Sequence, residues 1–163
     1  MTLLLHTYSD GGARGNPGPA AVGVVLCDER GKVVQESSKS IGHRTNNQAE
    51  YEALLLALQL ARQRKARRLR CHADSELLVY QLQGSYRIKD ARLKALSEKV
   101  KSLAAEFESV TYRQIPREHP MIARADKLLN QTLDRARTKS PDRTNPSSAP
   151  TKDPGDYVQD ELF

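Results

Sequence analysis

A chain of 163 residues that is 38% hydrophobic is long enough for one domain with a proper core and too short for two comfortable ones, and a formal net charge of +6 gives it a surface that favours polyanions. Cys27 and Cys71 lie far apart without CxxC spacing, which argues against a zinc site or disulfide and suits reduced core thiols. The apolar start, Met1 to Tyr8, is too short for a membrane span and has no basic flank, so a cytoplasmic protein with no membrane partner is expected. Residues 2 to 9 (TLLLHTYS) read as a short buried strand stopped by the turn-rich DGGARGNPGP. AAVGVVLC is a second strand, and Gly31 and Lys32 turn the chain into a third, VVQESSKSI; short connections make the three an antiparallel meander. In AEYEALLLALQLARQR, Ala49, Ala53, Leu56, Ala57 and Leu60 recur at helical spacing, with Asn47 as the expected N-cap. LRCHAD, residues 69 to 74, is a strand entering a short helix (SELLVYQLQ) that Gly84 ends. Leu93, Leu96, Val100, Leu103 and Phe107 mark another amphipathic helix, SVTYRQIP a fifth strand, and Ile122 to Arg137 a last helix.

The order βββαβααβα implies a mixed α/β sheet with helices on its faces, because strands separated by helices run parallel through right-handed crossovers. The domain is expected to occupy residues 1–137. Residues 138–155, rich in Pro, Ser and Thr, cannot bury enough apolar surface to offset the entropy of ordering and read as a disordered linker. Residues 156–163 regain aromatic and aliphatic character as a short terminal motif. No heptad repeat argues for self-association, so a monomer is expected.

Asp10 ends the first strand and Asp74 the fourth, so if those strands are neighbours their carboxylates share one edge, the edge at which open α/β sheets bind ligands. Glu50 and Asp126 fall in the first turns of helices that begin near that edge. Four converging carboxylates repel and raise one another's pKa values, and hard cations answer that problem. An all-oxygen set without His or Cys fits Mg²⁺ or Mn²⁺ rather than zinc. Two such ions roughly 4 Å apart activate a water and stabilise the leaving oxygen of an in-line phosphodiester displacement. Position alone leaves each acid the alternative of a helix cap or a surface charge, the usual role of a single Asp or Glu.

The segments around these acids, YSDGGARGNPGPAAVGVV, TNNQAEYEALLLAL, ADSELLVYQLQG and IPRE followed by ARADKLLN, resemble in order and spacing the four signature segments of type 1 ribonuclease H, over residues 4 to about 136. The resemblance implies the ribonuclease H-like fold, a five-stranded mixed sheet of order 3-2-1-4-5. It implies endonucleolytic cleavage of the RNA strand of an RNA–DNA hybrid, leaving 3′-hydroxyl and 5′-phosphate ends. Asp10 would bridge both ions, Asp126 complete the site for the nucleophilic water, and Glu50 with Asp74 hold the leaving-group ion, Mg²⁺ being the expected metal and Mn²⁺ a substitute. Asn16 and Asn46 match groove-contacting positions, suited to sensing the 2′-hydroxyl from the wide minor groove. Thr45 and Asn47 match a pocket for a DNA-strand phosphate at a helix N-terminus. Glu76 stands where a Gln contacts RNA in relatives, and a carboxylate cannot donate there. His119 lies in the loop before the last helix, as does a histidine that assists proton transfer or product release in some members; this loop is longer than the compact family pattern. The chain is the short form without the long basic handle, and Arg87 and Lys89 are the expected hybrid contacts in its place. The alternatives are a DNA-directed enzyme of the same fold and a non-catalytic, tethered binder. The closing QDELF is similar to the peptide by which replication and repair proteins dock on the bacterial sliding clamp, with Gln159, Leu162 and Phe163 as its contacts.

Overall fold

The computed structural model describes residues 4–138. Its elements are β1 (Leu4–Ala13), β2 (Gly18–Cys27), β3 (Val33–Arg44), α1 (Asn46–Gln63), β4 (Arg68–Ala73), α2 (Glu76–Leu82), α3 (Ala91–Ala104), β5 (Ser109–Gln114) and α4 (Pro120–Thr138). Apart from Thr138, which closes α4, the expected linker and the terminal peptide lie outside the described residues.

The sheet has the order β3-β2-β1-β4-β5. Its first three strands are antiparallel, and β4 and β5 pair parallel to β1 and β4, as expected. Alternation along the strands decides which layer each side chain enters. In β2 the even positions Ala20, Val22, Val24 and Leu26 join α1 and α3 in the main core, while Ala21 packs with Leu129 and Leu133 and Val25 and Cys27 pack with Ala125 of α4. Burial on both faces explains why β2 is a nearly unbroken apolar run. Cys27 and Cys71 are buried free thiols, and no described helix is long and apolar enough to cross a membrane.

Three expected boundaries shift. Strand β1 does not stop at Ser9: Asp10, Gly11, Gly12 and Ala13 pair with Gly23, Val22, Ala21 and Ala20, so the ladder continues through residues whose own propensity suggests a turn. The N-cap of α1 is Thr45, not Asn47. The Thr45 hydroxyl accepts the Gln48 N–H at 3.1 Å and the Gln48 side chain accepts the Thr45 N–H at 2.9 Å, a reciprocal capping box. Helix α4 begins at Pro120 rather than Ile122, with His119 Nδ1 accepting the Met121 N–H at 3.1 Å. Asp126 therefore sits in the second turn of its helix rather than the first.

Candidate active site

Asp10 and Asp74 are brought together where two strands part. The parallel pairing of β1 with β4 ends at Tyr8 and His72, two residues before each acid. Two glycines then admit the helices. A Cβ on Gly11, beside Asp10, would lie 2.1 Å from the Ala49 carbonyl oxygen and 2.7 Å from the Glu50 nitrogen, so only glycine lets α1 seat Glu50 this close to β1. Gly23, the cross-strand partner of Asp10, does the same for α4: a Cβ there would lie 2.1 Å from the carbonyl oxygen of Ala125, the residue before Asp126.

Carboxylate oxygens of Asp10, Glu50 and Asp74 consequently lie within 4.8 Å of one another. Asp126 joins the group through a hydrogen bond with Asp10. Burial, then Asp74 and Asp126, push the Asp10 carboxyl up to about 8. Burial, then Asp10 and Asp74, raise Glu50 well above the carboxylate range, although a hydrogen bond from the Gly11 backbone opposes the rise. Asp74 is raised by burial and held back by Arg117, whose Nε is 3.7 Å from Asp74 Oδ2. Glu50 Oε1 is buried without a hydrogen-bond partner. A buried acceptor left unpaired is costly. An orphaned oxygen within an all-carboxylate set fits hard divalent cations and suits thiophilic metals poorly. Asp10, Glu50 and Asp126 border a cleft of about 390 Å³ that is also lined by Arg14, Asn46, Arg117 and Asn130.

The other expected residues divide into those tied to this cleft and those apart from it. Asn16 and Asn46 interlock: Asn16 Oδ1 accepts the Asn46 N–H and Asn46 Oδ1 accepts the Ala13 N–H, both at 2.9 Å. With both carbonyl oxygens engaged, each exposed amide presents its NH₂ outward. Thr45 has accepted one backbone N–H, leaving its O–H to donate, and Asn47 is exposed on the first turn beside it. Glu76 is the exposed first residue of α2. Arg87 and Lys89 are exposed between α2 and α3. His119 caps α4 and stacks on Tyr8, ring centroids 5.4 Å apart, in a row that continues through His72 to His6. His6 Nδ1 and His72 Nε2 are 3.0 Å apart, and burial, then His6, hold His72 down to about 4, so His72 is neutral at physiological pH.

Sequence reasoning missed several contributors. Gly11, Gly23, Arg14, Arg117 and Asn130 all lie within the quoted signature segments, yet no role was expected of them there. A second cleft of about 300 Å³, lined by His43, Arg44, Gln48, Glu52, Arg92 and Lys99, opens beside the capping box of α1. Its basic rim combines the end of β3 with α3, a juxtaposition that only the fold reveals. At the C-terminal end of α1, Arg62 pairs with Glu106 at 3.1 Å, and Arg64 donates to Gln35 and to the Val34 carbonyl.

A family model described as reverse transcriptase-like matches residues 8–129. Ribonuclease HI of Halobacterium salinarum is 40% identical over 132 residues, 81% of this chain and 65% of the relative. A bifunctional protein of Mycobacterium tuberculosis is 38% identical over 129 residues, 78% of this chain and 35% of the relative. The chain thus spans less than two thirds of the length of these curated relatives. Among solved structures, LC11-RNase H1 in complex with an RNA/DNA hybrid has a TM-score of 0.77 at 43% identity, covering 81% of this chain and 98% of that one.

Proposed function

The chain belongs to the type 1 ribonuclease H family, and from that premise we propose that it is an endonuclease that hydrolyses the RNA strand of RNA–DNA hybrids with two divalent ions, leaving 3′-hydroxyl and 5′-phosphate ends. The observation that carries the reading is the convergence of Asp10, Glu50, Asp74 and Asp126, each from a different segment of the chain, in one carboxylate cluster.

These four residues would hold two Mg²⁺, with Mn²⁺ as a substitute. When bound, the ions lower the pKa of a water and neutralise the leaving oxygen. The residues of the chain do the rest. Asp10, which interacts with both Asp74 and Asp126, would be the residue common to both ions; Asp126 would serve the attacking side, and Glu50 with Asp74 the leaving side. The outward NH₂ groups of Asn16 and Asn46 donate to minor-groove acceptors, the 2′-hydroxyl among them, which discriminates RNA from DNA. The free O–H of Thr45, with Asn47 and the N-terminus of α1, receives a phosphate of the DNA strand. The adjoining cleft of His43, Arg92 and Lys99 extends that basic path, to which exposed Arg87 and Lys89 add charge. His119, occupied as a cap, serves as an auxiliary to product release rather than as an obligatory base, and Glu76 as a solvated rim charge. QDELF, outside the described residues, is read as a sliding-clamp ligand through Gln159, Leu162 and Phe163.

The deciding experiment offers labelled RNA–DNA hybrid, duplex RNA, duplex DNA and single strands with Mg²⁺, Mn²⁺ or chelator. Cleavage confined to the RNA of the hybrid, and abolished by chelator, is expected. Binding without cleavage would select the non-catalytic alternative, and cleavage of DNA the DNA-directed one. Metal binding should also depend on pH in a defined direction. In the metal-free protein Asp10 is protonated up to about pH 8, and ions displace that proton, so apparent Mg²⁺ affinity should rise as pH increases from 6 to 8. Titration calorimetry at three pH values checks this. For the tail, pull-down of purified clamp by the full chain and by a Leu162→Ala/Phe163→Ala variant should show capture by the first alone.

A further inference from the structure

We propose that Arg14 and Asn130 are positioning residues that orient the carboxylate of Asp126 through a relay running from the β1–β2 hairpin to α4; this rests on the reading of Asp126 as a metal ligand. Asp126 is tied to the other acids by its hydrogen bond with Asp10. It is half-buried, in the second turn of α4, and lies outside the mutually close set of Asp10, Glu50 and Asp74. Asn130, one turn later, adds a second constraint. Its Nδ2 donates to Asp126 Oδ1 at 3.2 Å and to the Asp126 carbonyl at 3.0 Å.

The amide has only one orientation available, because of what lies behind it. Arg14 Nη2 donates to Asn130 Oδ1 at 3.1 Å and to the Asn130 carbonyl at 3.4 Å. A guanidinium only donates and an ionised carboxylate only accepts, so an amide between them must turn its oxygen to Arg14 and its NH₂ to Asp126. The arrangement places a polarised donor on the carboxylate, a second layer of the kind that orients metal ligands elsewhere. Arg14 is itself held in place. A Cβ on Gly18 would lie 2.1 Å from the Arg14 carbonyl oxygen, and Gly15 adopts a φ of 96° that favours glycine, so the hairpin closes tightly around it.

The hairpin is also tied to α1 by the Asn16–Asn46 and Asn46–Ala13 hydrogen bonds. It therefore fastens both helices that carry acids to β1, and the loop that offers Asn16 to substrate is rigidly connected to Asp126. The competing description is a plain staple, in which Arg14 only pairs with Asp134, 2.9 Å away and largely exposed. Such exposed pairs contribute little.

The two descriptions separate by titrating Mg²⁺, and in parallel Mn²⁺, into the full chain without nucleic acid, and by measuring KM for hybrid alongside. Asn130→Ala is expected to weaken metal binding about 10-fold. Arg14→Met is expected to weaken it about 3-fold, and the double variant no more than Asn130→Ala alone, since both act through one relay. Asp134→Ala should bind metal as the wild type does, and KM for hybrid should stay unchanged throughout. The proposal is overturned if Asn130→Ala binds metal like the wild type, if Arg14→Met raises KM alone, or if Asp134→Ala reproduces Arg14→Met. Asp126→Asn keeps the two levels apart. If that variant binds metal normally, the ligand reading itself fails; if it loses metal while Asn130→Ala does not, only the relay is wrong.

Discussion

Replacing Asp10 with Asn is expected to reduce Mg²⁺-dependent cleavage of hybrid by at least about 1,000-fold, equivalent to ~4 kcal/mol of transition-state stabilisation, while raising the thermal stability of the metal-free protein. The two effects have one origin. Asp10 is buried, faces Asp74 and Asp126, and has a carboxyl pushed up to about 8. In the unfolded chain an Asp titrates near ~3.9. The folded state therefore binds the proton more tightly, and ionisation of Asp10 opposes folding. That opposition is absent below about pH 4, grows through the interval between the two values, and is complete above about pH 8. Asn retains the shape and cannot ionise. Its gain in Tm should be about 3 °C or more at pH 8 and should shrink towards pH 4. Saturating Mg²⁺ should reverse the ranking, stabilising the wild type and not the variant. Melting curves with and without Mg²⁺ at pH 4.5 and 8, beside a cleavage assay, check all of this; an active variant, or one destabilised at pH 8 without metal, would refute the role.

Gly23→Ala should be nearly as damaging to activity, though Gly23 contributes no group to the chemistry. Its added methyl would stand 2.1 Å from the Ala125 carbonyl oxygen, a separation that requires backbone to move. Overpacking of this kind costs about 3 kcal/mol. The movement it forces is of α4 away from β2, carrying Asp126 from Asp10, and a displacement of about 1 Å can cost on the order of 100-fold in rate. Gly12→Ala is the control on the same sheet. Its Cβ would lie 3.6 Å from Leu129 Cδ1, an ordinary contact, so stability and cleavage should stay close to wild type. Equal loss in the two variants would remove the argument from close approach.

The sequence announces what repeats and conceals what depends on contact across the chain. Helix α1 is legible because Ala49, Ala53, Leu56, Ala57 and Leu60 recur at helical spacing, and β2 because its apolar run has to be covered on both sides. The end of β1 is not legible. Gly11 and Gly12 have the local character of a turn, and only the ladder with β2 keeps them extended. Thr45, Asn46 and Asn47 are all acceptable caps in isolation; Gln48, placed to complete the reciprocal bond with Thr45, decides among them. The acids were found through the family pattern around them. Gly23 and Asn130, which bring and orient Asp126, fall outside any pattern that periodicity or turn chemistry can detect, because each is defined by a neighbour distant in sequence. His119 shows the reverse: its type and place suggested chemistry, while the fold employs it first to begin a helix.

Asp10 lies on the first strand and Asp126 on the last described helix, which sets when this site can come into being. A ribosome that has released everything through β5 has delivered Asp10, Glu50 and Asp74 but not the helix that brings the fourth acid and the seat on Gly23. Domains fold as units during synthesis, and contacts this distant in sequence are among the latest to form. Assembly of the four-acid site should therefore wait for the docking of α4, so that unfinished chains carry an incomplete centre.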